Sequence, residues 1–123
     1  ELWKPIIGKS KYLVRTDTIT AEMTKYVFNT FFITKIVFAN QIYDVCERVG
    51  ADYKTIREAL MAHPWGSKHH LKVLHKGGRG GGGRCFPKDL RAFTQWSNLP
   101  LLKIVEELNK KYLDNNPKED AKV

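Results

Sequence analysis

Residues 20–50 read TAEMTKYVFNTFFITKIVFANQIYDVCERVG, and neither glycine nor proline interrupts them before Gly50. Glycine and proline are the residues that stop helices, so this stretch predicts one long helix from about Ala21 to Val49. At 1.5 Å per residue it would run roughly 43 Å. Thr20 suits the N-cap and Glu22 the positive end of the helix. Phe28, Phe31, Phe32, Lys35, Phe38, Ile42, Val45, Cys46 and Val49 recur at three- and four-residue steps, and Met23, Val27, Val37 and Ala39 widen the apolar surface beyond one stripe. A small domain cannot cover such a helix on every side, which predicts burial of residues 21–49 against a second chain or another domain.

The whole chain of 123 residues allows one domain with a modest core. Ahead of the long helix, LWKPII and KYLVRTD read as a short apolar piece and one strand without a sheet to join. Behind it, Asp52 caps a short helix from Tyr53 to about Ala62 that ends at His63-Pro64. A loop spans 64–86, and Pro87 fits the first turn of a third helix. After Leu99-Pro100 a fourth helix carries Leu101, Ile104, Val105 and Leu108 on one face, and the tail from residue 115 is polar. The expectation is a mainly α domain.

The net charge of +8 points to an anionic partner: nucleic acid, a membrane surface or a phosphorylated small molecule. Two cysteines without a CxxC pairing suit a reducing compartment, and the sequence shows neither a signal peptide's apolar core nor a run of transmembrane length. The expected localisation is cytoplasmic, with no membrane partner. Residues 59–88 contain no acidic side chain, yet hold Lys68, Lys72, Lys76, Arg79, Arg84, Lys88 and all 4 histidines. Glycines there let backbone N–H groups approach an anion, so the segment reads either as an anion cradle or as a solvated basic loop. Gly78, Gly80 and Gly83 satisfy GxGxxG, but no hydrophobic strand leads into them and no GK[ST] follows, so the dinucleotide fingerprint and the P-loop fail on context. His70 and His75 have half the spacing of a zinc motif with only one cysteine nearby, and no metal is expected.

Cys85, in GGRGGGGRCFPKD at 77–89, stands two residues before Pro87 between Arg84 and Lys88. A helix N-terminus and neighbouring cations lower a thiol pKa, so Cys85 reads as a thiolate nucleophile or, like Cys46, as a small buried residue. Asp89 reads as a helix-end stabiliser or a catalytic carboxylate. Lys25 and Asn29 lie one turn apart among phenylalanines, reaching either solvent or a site.

AEMTKYVFNTFFITKIVFANQI, VCERVGAD, GGRCFPKDLRAF and NLPLLKIVEELN, in that order, resemble the central helical domain of the UDP-glucose/GDP-mannose dehydrogenases from about Ala21 to Tyr112. The resemblance implies a long-helix domain of the 6-phosphogluconate-dehydrogenase-C-terminal-like type over 18–114. Residues 1–17 would be a remnant of an α/β dinucleotide-binding domain, and 115–123 a polar tail. It implies an enzyme that oxidises the C6 alcohol of a nucleotide sugar, such as UDP-glucose, to a carboxylate with NAD⁺. Cys85 would be the nucleophile, forming a thiohemiacetal and then a thioester. Lys25 and Asn29 would stabilise the oxyanion, Asp89 would activate water, and Lys88 would lie beside them. Lys72, Gly82 and Gly83 would contact the nucleotide diphosphate. The resemblance further implies a homodimer through helix 21–49. NAD⁺ would bind the full-length enzyme but not this chain, which alone is expected to be inactive. The sequence departs from the family pattern at Gly81, where an aromatic is usual, and at Arg84, where a small residue is usual. Those departures favour the alternative of a dimerisation module with a vestigial site; a basic nucleic-acid-binding domain is the other alternative.

Overall fold

The computed structural model describes residues 4–7, 13–74, 78–83 and 85–116; of 4–7, 13–16 and 85 it describes the backbone alone. Two strands, β1 (Lys4–Ile7) and β2 (Leu13–Thr16), precede four helices: α1 (Thr18–Val49), α2 (Tyr53–Ala62), α3 (Cys85–Ser97) and α4 (Pro100–Asp114). The mainly α expectation holds. His75, Lys76, Arg84 and the tail from 117 lie outside the described residues.

The expected lone strand is instead half of an antiparallel hairpin, in which Pro5 faces Arg15 and Ile6 faces Val14. The partner is the apolar piece itself, and Pro5 is tolerated because a two-stranded sheet consists only of edges. The helix start also differs. Asp17, not Thr20, is the N-cap: its carboxylate accepts from the Thr20 backbone N–H at 2.8 Å and from the Thr20 hydroxyl at 2.9 Å. Thr20 is therefore the third residue of the helix, and Glu22 falls beyond its first turn. Gly50 closes α1 at φ 75, returning its N–H to the Cys46 carbonyl.

At 32 residues α1 is the spine, about 48 Å long. It buries Ile33, which the apolar steps did not mark, together with Val37, Ala39 and Cys46, which they did. Ile33 and Val37 pack with Leu90 and Phe93 of α3 and with Leu102, Val105 and Tyr112 of α4, while Met23, Tyr26, Phe86 and Leu108 close the edges. Further along, Ala39 and Cys46 meet Tyr53 of α2 and Leu71 and Val73 of the following segment. Phe31 and Phe38 remain 56% and 55% exposed.

The fourth helix is rotated from its expected setting. Its buried positions are Leu102, Val105, Asn109 and Tyr112, whereas Leu101 and Ile104 are exposed. Two polar side chains thus take core positions because each finds hydrogen-bond partners there, which an apolar count does not register.

Candidate functional site

The chain from Gly78 to Gly83 crosses α1 and α4 before entering α3, and its route explains its glycines. Gly81 is buried and held by Asn109, whose Oδ1 accepts from the Gly81 N–H at 2.7 Å and whose Nδ2 donates to the Gly81 carbonyl at 3.1 Å. A Cβ at Gly81 would stand 2.8 Å from Ile33 Cγ1, so only glycine permits this approach. Gly83 takes φ +88, a left-handed conformation that favours glycine, two residues before Cys85 begins α3.

Arg79 fastens the other end of the segment. Its Nε donates to Asn40 Oδ1 at 2.8 Å and its Nη2 to the Asn40 carbonyl at 3.0 Å. Nη2 also pairs with Asp44 at 2.8 Å. The guanidinium lies over the rings of Tyr43 and Tyr112, 5.2 and 4.6 Å from their centroids. Asn116 grips the Arg79 backbone, accepting from its N–H at 2.8 Å and donating to its carbonyl at 2.7 Å. The Tyr112 hydroxyl donates to Asp44 Oδ2 at 2.9 Å and accepts from Gln41 Nε2. Burial first, and the Asp44 bond second, push the Tyr112 phenol above its ordinary pKa.

Across α1, Asn29 Nδ2 donates to Asp89 Oδ2 at 2.7 Å, joining residues 60 positions apart. A carboxylate only accepts, so Asp89 fixes which end of the Asn29 amide faces it. The second Nδ2 hydrogen and the second Asp89 oxygen remain for other partners. Asn29 therefore does not simply reach solvent. Asp89 lies in α3's second turn rather than its first, one turn beyond Cys85 on the same helix. Lys25, one turn before Asn29, is exposed, as is Lys88.

The remaining candidates lie apart. Gly82 and Gly83 are exposed, and the nearest side chain to Gly82 is Leu113 of α4. Lys72 borders a cavity of about 320 Å³ with Tyr43, Glu47, Tyr53 and Arg57. That cavity faces the far half of α1, about 20 Å along the axis from Asn29, so Lys72 is not brought to the Asn29–Asp89 pair. The sequence reading counted Arg79 only among the cations of the basic loop and missed Asn109 and Asn116; the Asn109 position in an otherwise amphipathic helix was the available signal.

Among the other cations, Lys35 Nζ donates to Ser67 Oγ at 3.1 Å and lies 4.8 Å above the Phe31 ring. Burial lowers its pKa. His70 stacks on Phe32 with centroids 4.4 Å apart. Among the described residues no three His, Cys, Asp or Glu side chains gather as metal ligands, and no helix is long and apolar enough to cross a membrane.

Residues 19–111 match the model of the UDP-glucose/GDP-mannose dehydrogenase family, central domain. The chain is 37% identical over 94 residues to the UDP-glucose 6-dehydrogenase of Rickettsia bellii (strain RML369-C), covering 76% of this chain and 21% of that protein. It is 39% identical over 104 residues to the UDP-glucose 6-dehydrogenase TuaD of Bacillus subtilis (strain 168), covering 80% and 22%. To the UDP-glucose 6-dehydrogenase of Rhizobium meliloti (strain 1021) it is 38% identical over 95 residues, covering 77% and 21%. The chain thus spans about a fifth of the length of these curated relatives.

Proposed function

Because the chain belongs to the UDP-glucose/GDP-mannose dehydrogenase family, we propose that residues 18–114 are the central domain of a nucleotide-sugar 6-dehydrogenase and carry the covalent half of its active site. The observation that carries this reading is the Asn29–Asp89 hydrogen bond, which joins two side chains from distant segments one helical turn from Cys85. The substrate is a nucleotide sugar of the UDP-glucose type, as the relatives' names suggest.

In this reading the Cys85 thiolate attacks C6 of the sugar aldehyde. A C–S bond forms, the C=O π pair moves onto oxygen, and the resulting alkoxide takes a proton from solvent to give the thiohemiacetal. The developing oxyanion accepts hydrogen bonds from the second Nδ2–H of Asn29 and from the ammonium of Lys25. Asp89 holds the Asn29 amide in the donating orientation. Were the C6 hydride of the thiohemiacetal lost to the full-length enzyme's NAD⁺, a thioester would remain. The other Asp89 oxygen would then take a proton from the water that hydrolyses it, releasing the carboxylate and the Cys85 thiolate. Lys88 adds positive charge beside the pair. The exposed backbone at Gly82 and Gly83 is open to the diphosphate, and Lys72 contacts it only if the ligand extends along α1.

NAD⁺ is the oxidant of the full-length enzyme in this reading, yet the described residues of this chain do not fit a dinucleotide. The only sheet among the described residues is an antiparallel hairpin. The glycine segment is closed onto α1 and α4 by Asn109 and Arg79, and the described residues form no strand-turn-helix cradle for a pyrophosphate. No oxidation step is therefore assigned to these residues, and the chain alone is proposed to be inactive as a dehydrogenase. The exposed phenylalanine face of α1 is proposed to pair two copies of the chain, and a cytoplasmic location accompanies the reading.

The test is to mix the chain with a UDP-sugar 6-aldehyde labelled with ¹³C at C6. The proposal expects the C6 resonance of a thiohemiacetal, absent in Cys85→Ala and weakened in Asn29→Ala. Identical spectra for wild type and Cys85→Ala would overturn it.

A further inference from the structure

We propose that Arg79 is a positioning residue for Cys85: its clamp on α1 and α4 sets where α3 begins, in place of the side chain that Gly81 cannot carry. The inference rests on the functional reading above for the role of Cys85, but not for the clamp itself. Position 81 lies against the fully buried Ile33, with no room even for a Cβ, so no apolar anchor can hold the loop there. The fastening is polar instead. The Arg79 guanidinium joins Asn40 and Asp44 of α1, lies over the rings of Tyr43 and Tyr112, and is backed by Asn116 just past α4. Asn40 is itself fully buried, and its Nδ2 donates to the Ile36 carbonyl at 2.8 Å. Its Oδ1 is thereby presented to Arg79 in one orientation.

A planar fork engaging one residue through both its side chain and its backbone sets distance and angle together, which a point-charge lysine does not. Between Arg79 and Cys85 lie five residues, including the pinned Gly81 and the turn at Gly83. Slack at Arg79 therefore reaches the first turn of α3, where the resemblance puts the nucleophile. The same geometry removes Arg79 from the cations available to a diphosphate, because its charge is already paired with Asp44.

The experiment compares the full chain with Arg79→Lys and Arg79→Met, all carrying Cys46→Ser, by amide hydrogen exchange and by the pH profile of Cys85 alkylation. The expected result is a rise of about tenfold or more in exchange of the Gly80–Gly83 and first-turn α3 amides. With it, the Cys85 profile moves toward that of a free thiol near ~8.5. Arg79→Lys is expected to restore little, and ethylguanidinium to restore part of the Arg79→Met loss. A mutant that melts earlier but keeps the wild-type Cys85 profile would reduce Arg79 to a structural residue and overturn the inference. So would unchanged loop exchange. If wild-type Cys85 titrates as a free thiol, the functional reading fails while the exchange comparison still decides the clamp.

Discussion

At the scale of single residues, the glycines before Cys85 are not interchangeable. Gly81 abuts Ile33, whereas a Cβ at Gly82 would meet Leu113 Cδ2 at an ordinary 3.6 Å. Gly81→Ala is therefore expected to cost about 1–3 kcal/mol through overpacking. Gly82→Ala should stay within about 0.5 kcal/mol of wild type in urea unfolding. Equal costs at the two positions would contradict the docked loop. From sequence alone the run of glycines reads as a uniform cradle, because nothing in it distinguishes the residue that touches Ile33 from its neighbours. The role of Arg79 was equally hidden: its partners stand 33 or more positions away, on α1 and on or just past α4, whose rotations the sequence left open. Cys85, Asn29 and Asp89 were legible through family resemblance, while the bond joining Asn29 to Asp89 became visible only when α3 lay on α1.

At the scale of elements, α1 and α2 were readable because their stops and caps are local. Gly50 and Asp52 do within a few residues what the sequence expects of them. The start of α1 moved to Asp17 because aspartate both caps and engages the Thr20 hydroxyl. The Thr20 backbone bond first, and its hydroxyl second, hold the Asp17 carboxyl below its usual pKa. A carboxylate with a depressed folded pKa stabilises above its unfolded value and loses that contribution as pH falls through the folded one. Amide exchange in the first turns of α1 should accordingly quicken as pH falls below about 4, after correction for intrinsic rates. Asp17→Asn should remove this pH dependence; an Asp17→Asn profile parallel to wild type would show that Asp17 is not the titrating cap. The face of α4 was misread for the opposite reason. Asn109 and Tyr112 are satisfied by Gly81, Gln41 and Asp44, three partners remote in sequence.

At the scale of the molecule, a long helix packs α3 and α4 along one side and leaves phenylalanines open on another. The excess apolar surface was legible in the sequence, but the stripe that stays outside was not separable from the one that goes in. If the outer face pairs two copies, light scattering should report a dimer at micromolar concentration. Phe31→Asp with Phe38→Asp should then yield a folded monomer with an unchanged helical spectrum, whereas a wild-type monomer would remove this part of the account.

The central claim is that Cys85, Asn29 and Asp89 form a nucleotide-sugar half-site. It is tested most directly by the pH dependence of Cys85 alkylation in Cys46→Ser, with and without UDP-glucose. The account predicts a thiol titrating well below ~8.5 and protected by UDP-glucose, with protection lost in Asn29→Ala. An ordinary thiol that UDP-glucose does not protect would contradict it.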